Sequence, residues 1–294
     1  MTKSDVYQEV TDKIINLMET HGANWCKPWE SNGLASGLPF STTTRQAYNG
    51  INILLLWSEG YSSSEWGTFK AWQAKGARIR EGEHGTRCLF YKQLKVKDKE
   101  TGEQKVIPMP KTFVLFNAEQ VEGYEPEPIK TLEPLELLGN AEKFIKNTGA
   151  TIHKVAGDNA YYRPSTDSIT VPLPEQFKGE AHSDRLHGYY GTVLHELTHW
   201  TGSKKRLDRL SGDPKDTRKE SYAKEELIAE LGAAFLCAEL GISSEPREDH
   251  AHYLNSWLKA LKDDKKLIVK AASQARKACE FLKELQPAAQ SEAA

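Results

Sequence analysis

Apolar positions recur along this chain with two periods, and each change of period marks a change of element. Near the start Val6, Val10, Ile14, Leu17 and Met18 fall at three- and four-residue spacings, which predicts an amphipathic helix. A stretch rich in Gly, Pro, Ser and Thr then runs from Pro28 to Thr44. Trp25, Trp29 and Phe40 stud this region, so it reads as an ordered loop rather than a spacer. Ile51–Trp57 reads as helical or buried, and Trp66–Lys75 as a short helix. Arg87–Lys97 and Lys105–Asn117 read as the strands of one hairpin, joined by the charged turn Lys97–Gln104 with Gly102 near its tip.

The clearest interruption is Glu122–Leu135, where Pro126, Pro128 and Pro134 sit among acids. Proline stiffens a chain and removes backbone donors, which suits a linker. The expected organisation is therefore a domain over 1–125, a linker over 126–135, a second domain over 136–286 and a disordered tail over 287–294. In the second domain Leu135–Thr148 reads as a helix, and Thr151–Val155, Ala160–Arg163 and Ser168–Val171 as short strands. Helices are expected over roughly 184–201, 221–240, 247–262 and 264–285. Gly202 and Gly241 fall where a helix takes a left-handed cap. The fold class is α+β, with an N-terminal α/β domain and a C-terminal, mainly helical domain holding a small sheet.

Composition changes this picture little. With 38% hydrophobic and 27% charged residues in 294, the chain can bury a core, and no apolar run is long enough to span a bilayer. Met1–Val10 is polar and mixed in charge, unlike a secretory signal, so the expected compartment is the cytoplasm, with no membrane partner. Cys26, Cys88, Cys237 and Cys279 are scattered without a CxxC pair and read as isolated reduced thiols. The net charge of −2 is near neutral, which argues against an acidic mimic of DNA. Its distribution says more: Trp66–Lys111 holds eleven Lys/Arg against five Asp/Glu, a local +6. Such an excess is the electrostatic footprint of a nucleic-acid surface.

The chemistry concentrates in His195-Glu196-Leu197-Thr198-His199. Residues four apart on a helix share a face, so His195 and His199 can offer both imidazoles to one ion. Glu196 is then placed to act as general base on a water. A catalytic zinc site needs a third protein ligand, and Glu225-Glu226-Leu227-Ile228-Ala229-Glu230 supplies one on the next long helix. Glu226 and Glu230 share a side and either can ligate, whereas Glu225 is expected to point elsewhere. The arrangement resembles the gluzincin pattern Asn-Glu-x-x-Ser-Asp, which implies Glu226 as ligand and Glu230 as the acid that orients a histidine. Tyr222, one turn before Glu226, is a candidate to stabilise an oxyanion. Imidazole and carboxylate together suit Zn2+, with Mn2+ or Co2+ as alternatives. His153, His182, His187, His250 and His252 read as surface or structural histidines.

Five of the seven tryptophans, Trp25, Trp29, Trp57, Trp66 and Trp72, crowd the first quarter of the chain beside Lys70, Lys75, Arg78 and Arg80. Aromatic rings among cations are what single-stranded DNA needs, since bases stack and phosphates seek charge. The candidate DNA contacts are Trp25, Trp29, Trp66, Trp72, Lys70, Lys75, Arg78 and Arg80, with Arg45, Tyr48 and Asn49. The same tryptophans read equally well as core, and the hairpin lysines as a solvated edge that prevents strand pairing.

Taken whole, residues 5–285 resemble the ArdC-type antirestriction proteins carried by conjugative plasmids. The resemblance rests on Trp25-Cys26-Lys27-Pro28-Trp29, Arg45 with Tyr48-Asn49-Gly50-Ile51-Asn52, Trp66-Gly67-Thr68-Phe69-Lys70 and Gly76–Gly85. It continues through Val114–Gln120, His195–Gly202, Arg206-Leu207, Glu225–Glu230, and Tyr253 with Trp257. It implies a single-stranded-DNA-binding domain followed by a zincin-like metallopeptidase domain, a role in protecting incoming plasmid DNA from host restriction, and a host protein as substrate. Two other functions fit the residues: a non-catalytic DNA-coating protein with a structural metal, and a regulatory metalloprotease with no DNA role.

Overall fold

The structure, a computed structural model, describes residues 5–22, 25, 37–97, 104–126, 134–179, 181–212, 217–242 and 250–287. Trp29, Cys26, nearly all of the tail and most of the expected linker lie outside them, as do the side chains of His250 and His252. The chain forms two units, one over Pro39–Pro128 and one combining Met1–Leu38 with Ile129–Ala294. The first helix, α1 (Val6–His21), is therefore grouped with the C-terminal half and not with the rest of 1–125. Its buried Val10, Ile14 and Met18 form the apolar stripe read from the spacing, and the helix packs on α7 (His250–Asp263). The Thr11 hydroxyl donates to the Lys265 carbonyl at 2.7 Å.

In the Pro39–Pro128 unit, strands β1 (Phe40–Ser41), β2 (Glu65–Gly67), β4 (Thr86–Lys97) and β5 (Gln104–Asn117) make a sheet of order β1-β2-β5-β4. The β4–β5 hairpin keeps one register from Thr86↔Leu115 to Lys97↔Gln104. A small pair, β3 (Arg78–Ile79) with β6 (Val121–Glu122), stands apart. Helix α2 (Ile51–Trp57) is buried on every side, which explains a run apolar at every position but Asn52 and too short to reveal its period. Asn52 fixes α2 to β4 by bonding both the carbonyl and the N–H of Leu89, at 2.7 and 2.8 Å. The expected helix over Trp66–Lys75 is shorter, α3 (Phe69–Ala74): Trp66 belongs to β2, and the Thr68 hydroxyl caps the helix by accepting from Ala71 N–H.

In the other unit, α4 (Pro134–Asn147) precedes a three-stranded sheet of order β7-β9-β8: β7 (Thr151–Val155), β8 (Tyr161–Arg163) and β9 (Ser168–Pro172). Helix α5 (His182–Thr201) packs between this sheet and α6 (Arg218–Leu240), and α8 (Leu267–Glu284) closes on both helices. Helix α6 starts in a capping box, Thr217 with Glu220, and ends on Gly241 at φ +67°, the left-handed cap expected there. Gly202 differs from expectation: its φ is −76°. Glycine leaves room there for the Arg209 guanidinium, which a Cβ would crowd at 2.9 Å from Nη2. No helix among the described residues is long and apolar enough to cross a membrane.

Candidate metal centre

The centre of α5 is packed into the core, with Val193, Leu194, Leu197 and Thr198 buried, so the polar groups between them depend on partners inside the protein. His195 and Glu196 are buried too. Opposite them α6 comes unusually close, because Gly232 lies against Thr198: a Cβ on Gly232 would meet the Thr198 side chain at 2.6 Å. This approach carries Glu226 into reach of both histidines.

His195 Nε2 and His199 Nε2 are 3.2 Å apart. Glu226 Oε2 is 3.5 Å from the first, and Oε1 is 3.5 Å from the second. Donor atoms about 2.0–2.1 Å from a tetrahedral ion stand about 3.3 Å from one another, so this triangle has the dimensions of one face of such a site. Two imidazole nitrogens and a carboxylate also form a donor set for a borderline divalent ion. Among the described residues, His195, His199 and Glu226 form the cluster able to hold a metal.

Glu230 stands behind His195, its Oε2 3.7 Å from Nδ1, so it borders the outer nitrogen of that ring and lies away from the triangle. Glu225 corrects the expectation that it points elsewhere. Its Oε1 is 3.1 Å from His199 Nδ1, while Glu226 faces Nε2 of the same ring. Adjacent residues on a helix diverge by roughly 100°, and one imidazole presents its two nitrogens over a comparable arc. Arg209 completes the arrangement. Its guanidinium donates to both Glu225 oxygens at 2.7 and 2.8 Å, and to the Thr198 carbonyl at 2.7 Å. Sequence reading missed Arg209, since nothing in its local spacing announces that the loop after α5 folds back.

Electrostatics follow from these contacts. Burial pushes the Glu225 carboxyl up, but His199 and Arg209 outweigh it and hold the group below the usual carboxylate range. Burial likewise raises Glu226, yet the hydrogen bond from His195 and the charges of His199 and His195 bring it down to about 2. Both acids are thus carboxylates at neutral pH, as a cation site requires.

A cleft of about 910 Å3 opens over this cluster, lined among others by Glu196, Tyr222, Tyr253 and Tyr161. Tyr222 is half-exposed in it, its hydroxyl 3.2 Å from that of Tyr253. Burial first, then Tyr253 and the Glu226 charge, push the Tyr222 phenol up, so it stays protonated and able to donate.

The residues nominated for DNA fare unevenly. Trp25, Trp66 and Trp72 are 1%, 2% and 0% exposed, and Trp57 is buried as well. These rings are core and present no face to a base: Trp66 packs with Leu56, Cys88 and Leu115, and Trp72 donates to the Phe116 carbonyl at 2.9 Å. Tyr48 is half-buried against Phe113, its phenol pushed up to about 12 by that burial. Arg45 and Lys75 both reach the buried Glu65, at 3.4 Å each. Arg78 pairs with Glu122, and Arg80 with Glu83 at 3.0 Å. Lys70 and Asn49 are exposed.

Comparison with known proteins covers both units. Residues 4–116 match the family described as the N-terminal domain of anti-restriction factor ArdC, and residues 139–274 the zincin-like metallopeptidase family. The chain is 38% identical over 301 residues to the uncharacterized protein y4eC of Sinorhizobium fredii (strain NBRC 101917 / NGR234), spanning 98% of this chain and 95% of that one. It is 39% identical over 296 residues to a DNA primase TraC of Escherichia coli, spanning 95% of this chain but 20% of the primase. The metal-free crystal structure of antirestriction ArdC protein from plasmid R388 aligns with TM-score 0.76 and 38% identity, over 96% of this chain and 98% of that chain. The Mn(II)-bound crystal structure of the same protein gives TM-score 0.74 and 37% identity, over 98% and 100%.

Proposed function

From a chain that belongs to the ArdC family of antirestriction factors, we propose a protein that binds single-stranded DNA and protects incoming plasmid DNA from host restriction in the recipient cytoplasm. Its zincin-like unit acts in this reading as a metal-dependent peptidase on a host protein. The observation that carries the peptidase part is the triangle of His195 Nε2, His199 Nε2 and Glu226, with edges of 3.2, 3.5 and 3.5 Å, on the wall of a cleft that Glu196 also lines. Zinc fits the donors, and manganese, which the R388 relative holds in its Mn(II)-bound structure, fits them as well.

His195, His199 and Glu226 would hold the ion, which when bound supplies Lewis acidity that polarises a carbonyl and acidifies a water. Glu196 takes the proton of the attacking water as its oxygen adds to the peptide carbonyl carbon, then passes that proton to the amine nitrogen as the C–N bond breaks. Tyr222, kept protonated, donates to the oxygen on which negative charge develops. Glu225, held by Arg209, keeps the His199 ring oriented. The basic excess of Trp66–Lys111 and the naming of relatives as DNA primases support the nucleic-acid part.

Conjugation into a restricting host separates the functions. Wild type is expected to raise transfer of unmodified plasmid, and Glu196→Ala to lose that effect while still binding DNA. Full protection by Glu196→Ala would mean a non-catalytic DNA-coating role. Absence of salt-dependent binding to single strands would leave a regulatory protease.

A further inference from the structure

Ribbon β4–β5 differs from the rest of its unit in both charge and exposure. Its strands carry Arg87, Lys92, Lys95, Lys97, Lys105 and Lys111 and no Asp or Glu. The acids of the hairpin, Asp98, Glu100 and Glu103, fall in the turn outside the described residues. Elsewhere in the unit Arg45, Lys75, Arg78 and Arg80 are committed to Glu65, Glu122 and Glu83. Lys92, Lys95 and Lys111 are exposed, and among the described residues none of the three sits on a carboxylate.

With Trp57, Trp66 and Trp72 in the core, the exposed rings among the described residues of the unit are Phe69 on α3 at 57% and, on the ribbon, Phe90 at 45% and Tyr91 at 41%. The ribbon is where such rings share a face with cations that pair with no described carboxylate. Side chains alternate across a strand, so the register sets Phe90 opposite Lys111 and Lys92 opposite Met109 on one face, with Leu94 opposite Ile107 further out. The Phe90 ring is met edge-on by Phe113 at 5.9 Å between centroids, which supports one side and leaves the rest exposed. An exposed ring flanked on its own face by two cations matches a base with its neighbouring phosphates.

We propose that the Phe90–Lys92–Lys111 face of this ribbon is the surface on which single-stranded nucleic acid lies, a base on Phe90 and phosphates on Lys92 and Lys111. The proposal rests on the single-stranded-DNA reading above and relocates the contact from the tryptophans to the hairpin. A second copy of the chain adding to the ribbon is disfavoured. Pro108 and Pro110 occupy alternate positions of β5, so the donors they lack fall on one edge, and the ribbon's cations would repel their counterparts.

The test uses the full chain and a fluorescein-labelled 20-mer of deoxythymidine, followed by anisotropy between about 50 and 200 mM salt. Lys92→Gln/Lys111→Gln is expected to weaken binding at least tenfold and to flatten the slope of log K against log salt by about 1.4. Phe90→Ala is expected to lose roughly ten- to a hundredfold without changing the slope. It should spare binding to a 20-bp duplex, whose bases are already stacked. Lys143→Gln/Lys146→Gln removes the same charge from α4 and should match wild type. Wild-type affinity and slope in the ribbon lysine variant, with its melting curve unchanged, would overturn the proposal while leaving the DNA reading intact. So would equal losses in the α4 control, or ribbon variants whose main effect is on sedimentation rather than on DNA. No binding by wild type would defeat the reading and the proposal together.

Discussion

At the scale of residues, the site is decided by which atoms of His199 are free. Glu225 on Nδ1 leaves Nε2 directed at His195 and Glu226, and Arg209 holds Glu225 at both oxygens. Glu225→Ala should therefore weaken metal binding by roughly 10–100-fold while the triangle's own residues stay intact, as calorimetric titration with zinc would measure. Arg209→Ala leaves a buried carboxylate without its cation and is expected to cost about 3–5 kcal/mol, read from urea unfolding of the metal-free protein. The sequence displayed the two histidines and Glu226 because helical spacing places them. It hid Glu225 and Arg209, because a ring has two nitrogens and a loop can return, and neither fact shows in a local pattern.

At the scale of elements, the approach of α5 to α6 sets the reach of Glu226. Gly232→Ala must push Thr198 and its helix away, so it should destabilise the unit by about 1–3 kcal/mol and weaken metal binding together. Thermal melts with and without zinc would show both effects. A second tie holds the turn before β9 to the loop after α5, where Asp167 pairs with Arg206, whose guanidinium lies 3.8 Å over the Trp200 ring. The Arg206 hydrogen bond, against the pull of burial, keeps the Asp167 carboxyl below its ordinary 3.8. A lowered carboxyl contributes stability that is present above its unfolded value and lost as pH falls below it. Asp167→Asn should thus cost about 1 kcal/mol near pH 7, with the difference from wild type shrinking in thermal melts as pH falls below the ordinary carboxyl value and through the lowered folded one. Most helices and the long hairpin were legible from their periods. The two- and three-residue strands β1, β2, β3 and β6 were not, because they are too short to carry a period.

For the molecule as a whole, α1 belongs by packing to the unit that holds the metal site. Deleting residues 1–22 uncovers the α7 face, with about 1.5–3 kcal/mol at stake for each of the buried Val10, Ile14 and Met18. The expected outcome is a lower melting temperature for the metal-binding unit, followed by zinc-dependent stabilisation in the melt. That long-range pairing was invisible in the sequence, where a proline-rich break at 122–135 drew the eye to a simple cut between halves. The burial of Trp25, Trp66 and Trp72 was undecidable there too, because an aromatic ring among cations looks the same in a core or on a surface. Everything chemical in the account depends on one ion held by three side chains. The most direct measurement is metal content by mass spectrometry after stripping, zinc reloading and gel filtration of wild type, His195→Ala/His199→Ala and Glu226→Ala. One ion per chain is expected in wild type, none in the double histidine variant and a severe loss in Glu226→Ala. Equal metal in wild type and the double histidine variant would contradict the three-residue site.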